Sequence, residues 1–224
     1  CNNTRYIDKI DAEGLLYVIR CTCQNKRKIQ KELKISGLLE EFSKMTLDSF
    51  IAKDKWEIAV KESAYDYLEQ SNNDWYMVSG QYGSGKTHIC TAVSGQLIAQ
   101  GKTFFYLPYV SMIPSLANDL KNFFADVKNK AEDLLHTIKN VDVLYIDDFL
   151  KTKTHIDLIW QIIDYRYQQK NAITIISSEL YYNEMKAIDG ALASRIWQRT
   201  KQTKYSVEIG RDESRNKREN PVRV

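Results

Sequence analysis

Residues 75–87 read Trp75-Tyr76-Met77-Val78-Ser79 and then Gly80-Gln81-Tyr82-Gly83-Ser84-Gly85-Lys86-Thr87. A short apolar run with strand character enters G-x4-G-K-T, and a helical pattern follows. That is the context in which this motif binds nucleotide phosphates. Each residue type has a physical reason. Glycines let backbone N–H groups curl around phosphate oxygens without side-chain obstruction. The helix that follows turns its N-terminus to the anion. Lys86 reaches the β- and γ-phosphates, and the Thr87 hydroxyl ligates Mg²⁺. Gly80 through Thr87, with the adjacent His88, are the expected ATP contacts.

About sixty residues downstream, Val141-Asp142-Val143-Leu144-Tyr145-Ile146 is apolar apart from Asp142 and ends in Asp147-Asp148. A buried strand that delivers carboxylates at its C-terminal edge is the usual companion of a phosphate loop. Asp147 is expected to hold Mg²⁺ through water. Asp148 is expected to orient and polarise the attacking water. Glu is common at that second position; Asp is shorter by one methylene, roughly 1.5 Å, which predicts slow turnover.

Between and beyond these motifs, strand-like runs at Trp75–Ser79, Thr103–Leu107, Val141–Ile146, Ala172–Ser177 and Tyr205–Ile209 alternate with helical stretches near 86–100, 111–138, 155–169 and 183–200. Such alternation predicts an α/β fold with a largely parallel sheet. Residues 54–70 add a further helix by the spacing of Trp56, Val60, Ala64 and Leu68. Leu15–Ile19 reads as a short strand, followed by a basic helix-like run to about Leu33. The 224 residues, 43% of them apolar, suit one such domain with a small appendage. The expected divisions are 1–34, a partial zinc-binding-like segment with the basic helix; 35–70, linker and first helices; 71–218, the ATPase core; and 219–224, a tail.

With both motifs placed, further segments resemble AAA+ ATPases, and in particular helicase loaders of the DnaC/DnaI type, including their phage-encoded branch. The segments are SGLLEEFSKMTLDSF (36–50), GQYGSGKTHICTA (80–92), VLYIDDFLK (143–151), IIDYRYQQKNAITIISSEL (162–180) and IDGALASRI (188–196). The resemblance covers about 36–218. It implies a five-stranded parallel sheet in the order 5-1-4-3-2 flanked by helices. It also implies weak ATPase activity, a replicative DnaB-type helicase and single-stranded DNA as partners, and self-association through the ATP site. Arg195 is then the finger that touches a neighbour's γ-phosphate. Ser177 or Ser178 stands at the sensor 1 position, Ser178 being taken as the nucleotide contact. Arg215 or Arg218 stands at sensor 2, with Arg215 preferred. An IstB-like transposition helper shares this core and differs in partner. A non-hydrolysing ATP-binding adaptor of the helicase is the third reading; intact Lys86, Asp147 and Arg195 weigh against it.

Loaders of this type often carry an N-terminal zinc module, and Cys1, Cys21 and Cys23 resemble three of the four ligands that a structural Zn²⁺ requires. Cys90 falls inside a helix and reads as a small buried residue. Net charge is +3, too small to imply nucleic acid by itself. The basic residues cluster at Lys26, Arg27, Lys28, Lys31 and Lys34 and again at Arg211, Arg215, Lys217, Arg218 and Arg223. Each cluster is either a solvated face or a DNA contact. With neither a signal peptide nor an apolar run of about 18 residues, the sequence is expected to be cytoplasmic.

Overall fold

The structure is a computed structural model and describes residues 6–10, 14–20 and 39–219. Strands β1 (Tyr6–Ile10) and β2 (Leu16–Arg20) pair antiparallel with Tyr6 opposite Arg20. The sequence reading anticipates β2 but not β1. Helices α1 (Leu39–Lys44) and α2 (Lys55–Gln70) come next. The core then runs β3 (Tyr76–Gly80), α3 (Lys86–Ala99), β4 (Phe104–Pro108), α4 (Tyr109–Leu120), α5 (Ala125–Asn140), β5 (Val143–Asp147), α6 (Ile156–Gln168), β6 (Ile173–Ser178), α7 (Tyr182–Ile188), α8 (Gly190–Arg199) and β7 (Ser206–Ile209). A single 3-10 turn at Glu213–Arg215 follows.

The five core strands pair parallel in the spatial order β4-β5-β6-β3-β7. Numbered along the core alone, this is the expected 5-1-4-3-2. Both faces are covered, so the central strands bury apolar side chains on both sides. Tyr76, Val78, Tyr145 and Ile175 pack with Tyr67 of α2 and Ile89 and Val93 of α3. Met77, Leu144, Ile146 and Ile176 face the other way, onto Ile113, Ile162, Ile163 and Ile196.

Two expected helices are each divided. The stretch 111–138 breaks at Lys121–Phe124, where the Asn122 side chain accepts the Phe124 N–H at 3.0 Å and closes a local turn. The stretch 183–200 breaks at Asp189, which ends α7 and caps α8 by accepting the Leu192 N–H at 2.9 Å. Strand β5 starts at Val143 rather than 141. The Asp142 carboxylate is instead spent on the N–H and hydroxyl of Thr103, both at 2.7 Å, and ties the starts of β4 and β5 together.

That lower edge of the sheet is pinned by two arginines. Arg166 is fully buried and donates to the carbonyls of Val141 (2.8 Å), Lys139 (3.0 Å) and Ile173 (2.6 Å) and to the Thr174 hydroxyl (3.0 Å). Arg199 donates to the carbonyls of Asn73 and Ala172 at 3.1 and 3.0 Å, and its guanidinium lies over the Trp75 ring. The opposite edge, where strands β3, β5 and β6 end, holds the site.

Candidate active site

Strand β3 delivers the loop 80–85 and α3 starts at Lys86. Geometry requires glycine at both Gly83 and Gly85. Gly83 has φ 74° and a Cβ there would collide with the Asn216 side chain; Gly85 has φ 86° and would meet Phe50 Cε2 at 2.9 Å. Lys86 is buried, and its ammonium donates to the Gln81 carbonyl at 2.8 Å, inside the curl of the loop. Burial holds Lys86 below the ordinary lysine range, opposed by the carboxylates of Glu179 and Asp148.

Strand β5 places Asp147 against this loop. Its carboxylate accepts from four hydroxyls: Thr87 at 3.3 Å, Tyr106 at 2.9 Å, Tyr145 at 2.8 Å, and Ser177. Four hydroxyl donors fix the orientation of this carboxylate. Thr87 and Asp147 thus present two hard oxygens side by side, the small donor set that Mg²⁺ takes when phosphates and water complete its octahedron. The residues present therefore fit a Mg²⁺–nucleotide.

Asp148 follows at φ 56°, with its N–H donated to Ser177 Oγ at 3.1 Å. Its carboxylate pairs with Lys151 at 3.1 Å, and Lys151 also pairs with Glu179 at 3.0 Å. A cleft of about 480 Å³ joins these groups, lined among others by Met45, Tyr82, Lys86, Asp147, Lys217 and Arg218. That volume lies in the usual range for small-ligand sites.

The family described as IstB-like ATP binding protein matches residues 11–221. The chain belongs to this family. Among relatives of the IstB-like chain is the uncharacterized protein YqaM of Bacillus subtilis, 33% identical over 199 residues; the match covers 81% of this chain and 61% of that one. The replicative helicase loader DnaC of Buchnera aphidicola (Acyrthosiphon pisum) is 28% identical over 169 residues, covering 73% of this chain and 67% of that one. The crystal structure of the DnaC helicase loader superposes with a TM-score of 0.57 at 19% identity, covering 77% of this chain and 99% of that one. At that identity the likeness establishes the fold, the five-stranded parallel sheet flanked by helices that the sequence leads one to expect.

The other expected site residues of this IstB-like chain fall into two groups. Gly83, Gly85, Lys86, Thr87, Asp147, Asp148, Tyr82 and His88 all line the one cleft. His88 also bonds the Thr46 carbonyl at 2.9 Å and the Ser49 hydroxyl at 3.1 Å, so it braces the preceding segment against α3. Gln81 turns its side chain to the backbone of Asp212.

Ser178, Arg195 and Arg215 lie elsewhere. Ser178 is buried, and its hydroxyl is spent on the Phe149 carbonyl at 2.8 Å; Ser177 is the serine on the acidic pair. Arg215 donates to the Gly210 carbonyl and lies over Trp56, whereas Lys217 and Arg218 enter the cleft. Arg195 does not line its own cleft; it pairs with Asp164 at 2.8 Å and lies over the Trp160 ring. The C-terminal basic cluster is therefore largely engaged rather than a bare face: Arg211 pairs with Glu184 and Lys217 with Glu57.

Cys1, Cys21 and Cys23 lie outside the described residues, as do Lys26, Arg27, Lys28, Lys31, Lys34 and Arg223. No group of three or more His, Cys, Asp or Glu side chains suited to a metal occurs among the described residues. None of the described helices is long and apolar enough to cross a membrane.

Tyr106, Tyr145, Lys151, Glu179 and Lys217 were not singled out for the site by the sequence reading. Strand period could have found the tyrosines. Tyr145 stands two residues before Asp147 and so on its face, and Tyr106 is its direct partner on β4.

Proposed function

We propose that this chain is an ATP-driven assembly factor that loads a hexameric replicative helicase onto single-stranded DNA. The observation that carries the ATP half is the Lys86–Thr87–Asp147–Asp148 arrangement around a single cleft. The helicase half rests on relatives named as helicase loaders. In the proposed reaction water attacks the γ-phosphorus, the bond to the β–γ bridging oxygen breaks, and ADP and phosphate form. Asp148 draws the water proton, which leaves with the phosphate. Arg195, held on α8 by Asp164 and outside its own cleft, leaves that ion pair to supply its guanidinium to a neighbouring subunit.

The test is co-sedimentation of the chain with a hexameric replicative helicase and single-stranded DNA, with ATP or with ADP. ATP-dependent capture of helicase, lost in Lys86→Ala, is the expected result. An IstB-like transposition helper is the second reading, favoured by the family match itself. It predicts ATP-dependent binding to duplex DNA with no helicase captured, and that outcome overturns the loader. For Arg195, a mixture of Arg195→Ala and Lys86→Ala chains should recover hydrolysis that neither shows alone. A mixture that stays inactive removes the trans role.

A further inference from the structure

The turn after β5 carries a lysine whose position the fold dictates. Phe149 and Leu150 are buried beneath it, and the Phe149 N–H donates to the Ser177 carbonyl at 2.9 Å. The Lys151 N–H closes the turn onto the Asp148 carbonyl at 3.1 Å. Two residues in this turn, Asp148 and Leu150, sit at φ 56° and 57°. Left-handed backbone at non-glycine residues costs on the order of 1 kcal/mol each and persists where surrounding contacts over-determine it. The base of Lys151 is therefore fixed, and only its flexible stem can move. Its ammonium is shared between Asp148 Oδ2 and Glu179 Oε1 at 3.1 and 3.0 Å, and all three residues line the nucleotide cleft. Burial pulls the Lys151 ammonium down, but the two carboxylates more than reverse this and hold it above the ordinary lysine range.

We propose that Lys151 is a positioning residue that restrains hydrolysis by occupying the carboxylate of Asp148, and that Glu179 is the counter-ion that draws it off. The inference rests on the reading of Asp148 as the hydrolytic carboxylate. An ammonium on Oδ2 competes with water for that oxygen. Glu179 gives the lysine a second seat at equal distance, so releasing Asp148 needs only a small swing of the stem. Entry of a triphosphate adds a third anion to the same cleft and tilts the ammonium further from Asp148.

The two partners must then act in opposite directions. Lys151→Met keeps the stem and removes the charge. It should raise kcat for ATP about two- to fivefold, the size of one half-exposed ion pair, while KM rises as the attraction of the ammonium for the triphosphate is lost. Glu179→Gln leaves the lysine wholly on Asp148 and should lower kcat. The double variant should match Lys151→Met, and Lys151→Arg, which keeps the charge, should show no gain in kcat. A Lys151→Met enzyme no faster than wild type, or a double variant as slow as Glu179→Gln, overturns the restraint. Asp148→Asn in the same assay separates the two ideas. If it hydrolyses ATP at the wild-type rate, the hydrolytic reading itself falls. If it is silent while Lys151→Met gains nothing, only the restraint falls.

Discussion

The two edges of the parallel sheet hold charge in opposite ways. At the edge where strands begin, Arg166 and Arg199 are surrounded by backbone carbonyls. At the edge where strands end, Asp147 is surrounded by side-chain hydroxyls, and Asp148 shares a lysine with Glu179. Carbonyls of fixed backbone cannot turn away. Burial pushes the Arg166 guanidinium down to about 9, still charged at neutral pH, because the carbonyl cage replaces its water. Hydroxyls and lysine heads rotate about single bonds and can exchange partners. One edge is built to stay as it is, the other to accept a ligand.

Substitutions at the two edges should therefore separate stability from binding. The largest effect is expected from Lys86→Ala, which should weaken ATP by roughly 1,000-fold or more, the loss of at least two charge-assisted hydrogen bonds. Its melting temperature should not fall, since a buried cation is removed. Calorimetry and thermal melts check both halves; a large drop in Tm would show that the ligand edge is structural too. Next comes Arg166→Met, which strands several buried carbonyls and should cost about 3 kcal/mol of stability. Nucleotide affinity of the folded protein should be unchanged, and a selective loss of affinity would break the division. Tyr106→Phe removes one of the four hydroxyls on Asp147 and should cost Mg²⁺–ATP about 1 kcal/mol, roughly fivefold in affinity, with little change in Tm.

The smallest effect concerns Glu57. Burial alone raises its carboxyl, but Lys217 and the N–H groups of Asp54 and Lys53 outweigh this and hold it below its ordinary 4.5. A depressed carboxylate adds stability that is present above the unfolded value and lost as pH falls through the folded one. Melts below pH 4.5 should therefore show an extra loss of stability that Glu57→Gln lacks. Identical acid profiles would show that the Lys217 contact adds nothing.

The sheet and its order were legible because buried parallel strands are continuous apolar runs and the phosphate loop marks the first of them. The acidic pair was legible for the same reason: Asp147 and Asp148 end such a run. The helix breaks at Asn122 and Asp189 were not, since each depends on one short side chain closing a local turn inside an otherwise helical pattern. β1 was missed because Tyr6–Ile10, YIDKI, is too short and too polar to stand out. Ser177 over Ser178 was undecidable from the sequence, because adjacent strand residues point to opposite faces and only the register shows which one meets Asp147. Arg215 was preferred over its neighbours on family pattern. The turn that brings Asn216 against Gly83 instead carries Lys217 and Arg218 into the cleft.

The same contact has a mechanical meaning. Phe50 lies against Gly85 from the segment before the core, while the Lys217 N–H bonds the Gly83 carbonyl from the segment after it. Lys217 closes the circle by donating to the Ile51 carbonyl and lying over the Phe50 ring. The two flanks of the domain are thus fastened to each other across the phosphate loop, like the ends of a strap over a buckle. A displacement of the loop would therefore be felt on both flanks at once, and a pair of spectroscopic labels at positions 45 and 218 would test whether nucleotide changes their separation.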